Sequence, residues 1–297
     1  MKKNLNDYPL WTAVVTPMYP DSTIDFESME KVLKAQEAAG NAIVVLGSTG
    51  EALNLSKREC KRVLEFTMGL NLKVPVMTGL GGYNLEETIE YLQYLETLPL
   101  DAYLMVTPLY AKPGEHGQTH WFKSLMDHAT KPCMLYNVPG RTAVKMNFDA
   151  IKNLSGHKNF WAIKEASGSV ADFKKYAEAA PAARMYSGDD GMVFDFAPHR
   201  CVGLVSVASN IWPTETNLYV RKTLKNEMST DEVNLWKKAS DSLFIVSNPV
   251  PVKNIMWAKG MIANKTMRAP LSDRDLSDNT PLINAHEAVT EWYNKNK

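Results

Sequence analysis

The chain has 297 residues, of which 45% are hydrophobic and 22% are charged, and its 33 basic residues balance its 33 acidic ones. These fractions suit a globular protein with a sizeable core and exclude a disordered or collagen-like chain. A net charge of zero lacks the basic footprint of a nucleic-acid-binding protein. No stretch approaches the roughly 18 apolar residues of a membrane span, and no apolar run of a secretory signal follows the first lysines. With three scattered cysteines, we expect a cytoplasmic protein with reduced thiols.

Short apolar runs rich in β-branched residues alternate with segments of helical periodicity along most of the chain. The predicted strands cover residues 11–15, 42–46, 74–78, 102–106, 133–137, 160–164, 184–187 and 202–207. Between them, Ser56 with Glu59 forms a capping box that predicts a helix start, and Asn84 with Glu87 forms a weaker one. Strands separated by crossover helices indicate a parallel sheet covered by helices. Eight such units close a (β/α)8 TIM barrel, although periodicity alone leaves a doubly wound open sheet possible.

The final quarter of the chain carries no strand signal. Beyond residue 225, the pattern predicts two or three helices that start near Thr230, Pro251 and Ser272. We therefore expect a barrel over residues 1–225 and a C-terminal helical region over residues 226–297 that extends it.

Polar and glycine-rich segments follow the carboxyl ends of five predicted strands. They cover residues 47–51, 107–110, 136–142, 164–168 and 187–190. In a (β/α)8 barrel these ends converge on one face, which is the face that carries active sites. The sequence therefore predicts a functional site built from these segments.

Lys164 ends the apolar run of the sixth predicted strand. Burial of an ammonium group is costly and lowers its pKa, which leaves a free amine able to form a Schiff base with a carbonyl. The alternative is a lysine that reaches the solvent or pairs with Glu165. Alternation places Glu165 on the opposite face of the strand, which weakens the pairing alternative.

Two tyrosines, one loop and one arginine are further candidates. Tyr136 and Tyr110 could move protons, although a core tyrosine with a satisfied hydroxyl is the commoner case. The loop around Ser48 and Thr49 offers two hydroxyls and successive backbone N–H groups, which suits a small carboxylate or phosphate, or it is a plain strand-to-helix turn. Arg141 could form a bidentate pair with a carboxylate, or it is a solvated loop arginine.

Three other motifs are poor matches to known cofactor-binding or metal-binding sites. The glycine-rich segment 79–84 lacks the third glycine of a dinucleotide fingerprint and opens the third unit, not the first. His116 and His120 lack the glutamate of a zinc-protease motif. Asp189 and Asp190 are better interpreted as a helix cap than as a Mg²⁺ site. These motifs therefore predict neither a nicotinamide site nor a metal site.

Three of the polar segments form a combination that is highly specific for one protein family. Gly-Ser-Thr-Gly-Glu at 47–51, Tyr-Asn-Val-Pro-Gly-Arg-Thr at 136–142 and Ile-Lys-Glu-Ala-Ser-Gly at 163–168 occur in this order and spacing. The chain thereby resembles the dihydrodipicolinate synthase / N-acetylneuraminate lyase family of pyruvate-dependent class I aldolases. The resemblance implies a (β/α)8 barrel with C-terminal helices, usually assembled as a homotetramer.

The resemblance also implies roles for individual residues. Lys164 would form the Schiff base with pyruvate, whose carboxylate Ser48 and Thr49 would hold. Tyr136, Thr49 and Tyr110 would relay protons, with Tyr110 contributed across a subunit interface. Gly188 and the carbonyl of Val205 would lie close to the bound substrate.

Arg141 directs the choice of acceptor within the family. The Gly-Arg-Thr form resembles the branch that condenses pyruvate with L-aspartate 4-semialdehyde in lysine and diaminopimelate biosynthesis. An acceptor with its own carboxylate needs a second anion site, and an arginine buried there without an anion would reject neutral acceptors. Ser48 is instead more typical of N-acetylneuraminate lyases, so another pyruvate aldolase is the alternative.

Some positions depart from the pattern of lysine-inhibited members of the family. Lys57, Cys60 and Tyr83 replace residues of their regulatory site, and Glu87 alone matches it. We therefore expect feedback inhibition by lysine to be weak or absent, and a submillimolar inhibition constant would contradict this expectation.

Overall fold

A computed structural model describes residues 3–297 of the chain. Its eight strands follow one another in chain order around a closed barrel, and the strand pairs with a described register are parallel. The strands are Leu10–Ala13 (β1), Ala42–Val45 (β2), Val76–Leu80 (β3), Ala102–Val106 (β4), Cys133–Asn137 (β5), Phe160–Glu165 (β6), Arg184–Ser187 (β7) and Cys201–Ser206 (β8). The predicted (β/α)8 barrel is confirmed, and an open doubly wound sheet is excluded because the strand order closes without reversal.

Strand bounds differ slightly from those predicted. The third strand begins at Val76, two residues later than expected, because Pro75 has no N–H group to donate to a ladder. The second strand ends at Val45 because Leu46 turns into the left-handed region, with φ of 55°. The fourth, fifth and seventh strands have the predicted bounds.

The α-helices occupy the connections between strands and the C-terminal region. They are Phe26–Ala38 (α1), Lys57–Gly69 (α2), Leu85–Glu96 (α3), Glu115–His128 (α4), Pro139–Thr142 (α5), Phe148–Leu154 (α6), Val170–Ala179 (α7), Val193–Phe196 (α8), Pro213–Leu224 (α9), Thr230–Ser242 (α10), Val250–Ala258 (α11) and Thr280–Asn296 (α12). The capping box of Ser56 and Glu59 is confirmed at the start of α2. Asn84 likewise accepts a hydrogen bond from the backbone N–H of Glu87.

The C-terminal helices begin near two of the three predicted positions. Helix α10 starts at Thr230 and α11 at Val250, but the start expected near Ser272 is wrong. The Ser272 hydroxyl accepts from the N–H of Arg274, two residues on, which closes only a short 3-10 turn. The last long helix begins at Thr280. The division at residue 225 stays a prediction.

The chain comprises two compact units. One is formed by residues up to Pro75 together with Ser206–Lys297, and the other by Val76–Val205. The first unit buries Trp212 and Trp236 in an edge-to-face contact, and the second buries the stacked pair Phe173 and Phe196. Among the described residues, no helix has the combined length and apolar character needed to cross a membrane.

Candidate active site

Lys164 and Tyr136 lie side by side at the carboxyl ends of adjacent strands. They are register partners on β6 and β5, and each is buried, with 6% and 8% of its surface exposed. The Lys164 Nζ atom lies 4.1 Å from the centre of the Tyr136 ring. The structure therefore brings together the two residues for which the sequence suggested Schiff-base formation and proton transfer.

Burial changes the acidity of Lys164. Loss of solvation lowers its pKa to about 7, the nearby Asp190 carboxylate opposes this change, and the Arg141 guanidinium adds to it. At neutral pH, roughly half of the amine is therefore unprotonated. An unprotonated amine is the form that attacks a carbonyl, so the environment prepares Lys164 as a nucleophile.

Glu165 is occupied by other partners. Its carboxylate accepts hydrogen bonds of 2.7 Å each from the Asn137 side-chain amide and the Ser167 backbone N–H. These bonds agree with the strand alternation that places Glu165 on the face opposite to Lys164. The alternative in which Glu165 pairs with Lys164 is thus not supported.

Gly188 makes room for the Lys164 side chain. Its backbone N–H donates to the Glu165 carbonyl, which fixes the glycine directly after β7. A Cβ atom added at this position would lie 2.7 Å from Lys164 Cε and 2.7 Å from Ala166 Cβ. Such contacts are shorter than side chains tolerate, so a glycine is required for Lys164 to keep its present conformation.

Gly188→Ala is expected to slow imine formation between Lys164 and pyruvate by roughly a hundredfold, because a displacement of the nucleophile by about 1 Å has an effect of that size. Borohydride trapping of the adduct, followed by mass spectrometry, measures the rate. Gly156→Ala is the matched control, since an added Cβ at this exposed glycine meets no atom within 4 Å. Equal rates in the two variants would contradict the steric role of Gly188.

Arg141 lies on a short turn that buried side chains anchor. It belongs to α5, directly after β5, where the Asn137 side-chain oxygen accepts from the Met146 N–H at 2.8 Å. The Thr142 hydroxyl donates to the Val144 carbonyl and closes the turn. Arg141 itself is exposed in the single chain. Its charge nevertheless acts on Lys164.

Tyr110 and Val205 occupy contrasting environments. Tyr110 is 91% exposed and has a left-handed backbone with φ of 62°, an uncommon conformation for a bulky residue. Within one chain it therefore forms no part of the buried surroundings of Lys164. Val205 is buried near the end of β8, with 1% of its surface exposed.

The loop after β2 carries the two candidate hydroxyls for anion binding. Ser48 is partly exposed and Thr49 is buried, with 2% of its surface exposed. The Thr16 hydroxyl donates to the Gly50 carbonyl at 2.7 Å and holds the loop against the chain that follows β1. A Cβ atom added at Gly50 would lie 3.1 Å from the Val14 carbonyl oxygen, a tight contact that would require a small shift of the backbone.

Sequence reasoning missed two residues that lie next to candidate site residues. Asp189 caps the short turn Asp190–Met192, as expected, but Asp190 is also buried and its charge acts on Lys164. Asn248 donates to the Thr49 hydroxyl across 199 positions of sequence, and no local pattern marks this contact. Among residues 3–297, no group of histidine, cysteine, aspartate or glutamate side chains is arranged to hold a metal ion.

The chain is similar to known proteins over nearly its whole length. A curated relative named 4-hydroxy-tetrahydrodipicolinate synthase, from Francisella philomiragia, is 45% identical over 96% of both chains. A crystal structure of the chloride-inhibited dihydrodipicolinate synthase from Acinetobacter baumannii, complexed with pyruvate, is 31% identical. It matches with a TM-score of 0.89 over 95% of this chain and 99% of its own. A structure described as the first monomeric dihydrodipicolinate synthase variant is 27% identical, with a TM-score of 0.87 over 95% and 97% of the two chains.

The family assignment rests on the same span as the fold. The model of the dihydrodipicolinate synthetase family matches residues 8–288, which include all eight strands and the first turns of α12. The site segments identified from the sequence all lie within this match. The chain belongs to the dihydrodipicolinate synthetase family.

Proposed function

We propose that the chain catalyses the reaction of a 4-hydroxy-tetrahydrodipicolinate synthase, the condensation of pyruvate with L-aspartate 4-semialdehyde. This is a lyase-class reaction of lysine and diaminopimelate biosynthesis that proceeds through a Schiff base. The observation that carries the proposal is the buried Lys164 amine, with a pKa of about 7, placed against the Tyr136 ring. Family membership and a relative of that name support the same reaction.

The first half-reaction prepares a carbon nucleophile. The neutral Lys164 amine adds to the C2 carbonyl of pyruvate, and loss of water gives the imine, with Tyr136 assisting proton transfer. Ser48 and Thr49 hold the pyruvate carboxylate, and Gly188 and the Val205 carbonyl border the substrate. Removal of a proton from C3 then gives the enamine. The imine itself accepts the electron pair, so the chemistry needs no metal or organic cofactor.

The second half-reaction forms the carbon–carbon bond. The enamine attacks the aldehyde carbon of L-aspartate 4-semialdehyde, whose carboxylate Arg141 receives. The amino group of this acceptor then attacks C2, closes the ring and displaces the Lys164 amine. The exposure of Arg141 fits an acceptor that arrives after the imine has formed.

Turnover of pyruvate with L-aspartate 4-semialdehyde tests the proposal directly. An added reductase for the product reports the rate through NADPH oxidation, and we expect a rate above about 1 s⁻¹, an ordinary enzyme value. Ser48 favours the alternative, an N-acetylneuraminate lyase. If the protein forms a borohydride-reducible pyruvate adduct but does not turn over L-aspartate 4-semialdehyde, the acceptor would be assigned as a sugar acid. That result would support the alternative.

Arg141→Ala and Arg141→Lys are expected to lower kcat/KM for L-aspartate 4-semialdehyde by roughly 10- to 100-fold, the effect of losing a charge-assisted bidentate contact. The two variants should differ in pyruvate imine formation. Burial is the main cause of the lowered pKa of Lys164, and lysine at position 141 keeps the positive charge that adds to this effect, whereas alanine removes the charge and leaves less free amine at neutral pH. Steady-state kinetics with each substrate varied separately checks both effects. Unchanged kinetics for the semialdehyde in both variants would remove Arg141 from acceptor binding.

The proposal includes the quaternary structure of the protein. We infer a homotetramer in which Tyr110 completes the proton relay of a neighbouring subunit, which its 91% exposure and left-handed backbone support. The monomeric variant among the similar structures makes the subunit count a matter for measurement by light scattering. Three free, buried cysteines support a reducing, cytoplasmic setting for the enzyme.

A further inference from the structure

The loop that carries Ser48 and Thr49 is held by the C-terminal helical region at several points. Asn248, just before α11, donates its side-chain N–H to the Thr49 hydroxyl oxygen at 3.0 Å. Lys253, in the first turns of the same helix, donates to the Glu51 carboxylate at 2.8 Å. Both contacts are buried and join segments about 200 residues apart in the sequence. One end of one helix therefore holds two residues of the loop.

The Lys253 contact fixes the position of the loop backbone. Glu51 has a left-handed conformation, with φ of 56°, which a non-glycine residue adopts only when its surroundings enforce it. Its second carboxylate oxygen accepts from the Arg268 backbone N–H at 2.9 Å, and Lys253 also donates to the carbonyls of Thr16 and Thr266. Glu51 and Lys253 are fully buried, so this network cannot relax into solvent. Thr49, two residues before Glu51, is held close to Asn248.

The Asn248 contact determines how the Thr49 hydroxyl can act. In this bond the hydroxyl oxygen is the acceptor, so the bond leaves the hydrogen of the hydroxyl available for donation. An oxygen that accepts one hydrogen bond also becomes a better donor in a second, because the two bonds polarise each other. Thr49 is buried, with 2% of its surface exposed, and water therefore competes weakly for this hydrogen.

We propose that Asn248 is a positioning residue that orients the Thr49 hydroxyl so that its hydrogen is donated to the substrate. The inference rests on the proposed function, in which Thr49 binds the pyruvate carboxylate and relays protons. Asn248 acts through Thr49 and does not itself contact the reacting atoms. The C-terminal helical region thereby contributes to pyruvate chemistry, although the sequence segments typical of the family site all precede it.

A double-mutant cycle between Asn248→Ala and Thr49→Val tests the proposal, with kcat/KM for pyruvate as the readout. In the background with Thr49 intact, we expect Asn248→Ala to lower kcat/KM about tenfold, the effect of losing one hydrogen bond in the productive complex. In the Thr49→Val background there is no hydroxyl to orient, so the same substitution should change kcat/KM by less than about twofold. In a Thr49→Ser background the hydroxyl is retained, and the tenfold loss should return.

Asn254→Ala is the matched control. Asn254 lies on α11, shortly after Asn248, is also buried, and donates its side-chain N–H to the Val250 carbonyl of its own helix at 2.9 Å instead of to the loop. A change at Asn254 should have the same effect with Thr49 intact as in the Thr49→Val background, as expected for a residue with a purely structural role. If Asn248→Ala fails to fold, Asn248→Asp keeps the side-chain volume while replacing the donor with an acceptor, and the same cycle applies.

The outcomes separate the inference from the proposed function. Loss of the Asn248 effect in the Thr49→Val background supports the positioning role. Equal losses in both backgrounds would overturn it while leaving the proposed reaction intact, provided that the unsubstituted chain turns over pyruvate. An unsubstituted chain that forms no reducible pyruvate adduct would overturn both.

Discussion

Lys164→Met is expected to abolish turnover and, at the same time, to stabilise the folded chain. Removal of the amine eliminates the imine, so the rate should fall by at least about a thousandfold, as it does when a covalent nucleophile is lost. The methionine side chain has a similar length and no charge to desolvate, so it should suit the buried position better than lysine does. Pyruvate trapping and thermal unfolding, measured on the same preparation, check both effects.

The stabilisation should depend on pH. Burial lowers the pKa of Lys164 to about 7, so between this value and its ordinary pKa of 10.5 the unfolded chain binds the proton and the folded chain does not. Folding is therefore disfavoured by the lysine below pH 7, and the penalty shrinks as the pH rises towards 10.5. Its upper bound is roughly 5 kcal/mol, since each tenfold change in proton affinity corresponds to about 1.4 kcal/mol.

Lys164→Met should accordingly raise the unfolding temperature more at pH 6 than at pH 9. Lys225→Met, at an exposed position after α9, is the control and should change neither activity nor stability. A Lys164→Met protein that is less stable than the unsubstituted chain at pH 6 would show that the charged amine is well solvated or paired, which contradicts the pKa of about 7.

The fold could be predicted from local patterns because a (β/α)8 barrel repeats one local unit. Each apolar run supplied a strand, and the capping box at Ser56 marked a helix start that the structure confirms. The predicted bounds were wrong where a local sequence signal is compatible with more than one structure. Ser272 has the residue type of a helix cap, but its hydroxyl bonds two residues on and closes only a short turn. Pro75 has no backbone N–H to donate to a neighbouring strand, so the third strand begins only at Val76.

The pairing of Lys164 with Tyr136 was within reach of the sequence because consecutive strands are neighbours in a barrel. Residues at the carboxyl ends of the fifth and sixth strands must lie close together once the fold is known. Two other features could not be predicted from the sequence. The contact from Asn248 to Thr49 and the pair of Glu51 with Lys253 depend on tertiary packing between distant segments. No periodicity or spacing records such contacts.

Lys253→Met is expected to destabilise the chain by about 3–5 kcal/mol, the effect of breaking a buried ion pair and leaving one charge uncompensated. The two partners are 2.8 Å apart and their side chains are completely buried. Among residues 3–297, the hydrogen-bond donor that the Glu51 carboxylate would keep is the Arg268 backbone N–H at 2.9 Å. Because Glu51 also holds a left-handed conformation, the loop that carries Thr49 should lose its position, and kcat/KM for pyruvate should fall as well. Urea unfolding and steady-state kinetics check the two expectations.

The double variant Lys253→Met with Glu51→Gln separates two causes of the lost stability, which are the unpaired buried charge of Glu51 and the loss of its hydrogen bond from Lys253. The glutamine side-chain oxygen can still accept from the Arg268 N–H, and no charge remains to be buried, so most of the lost stability should return. Lys295→Met is the matched control, since its pair with Glu291 is 2.6 Å long but has 69% of each side chain exposed. Exposed pairs of this kind contribute little to stability, so Lys295→Met should leave the urea midpoint unchanged. If Lys253→Met lowers the urea midpoint no more than Lys295→Met does, the buried pair does not hold the loop, and the anchoring of Thr49 must come from Asn248 and the Thr16 hydroxyl alone.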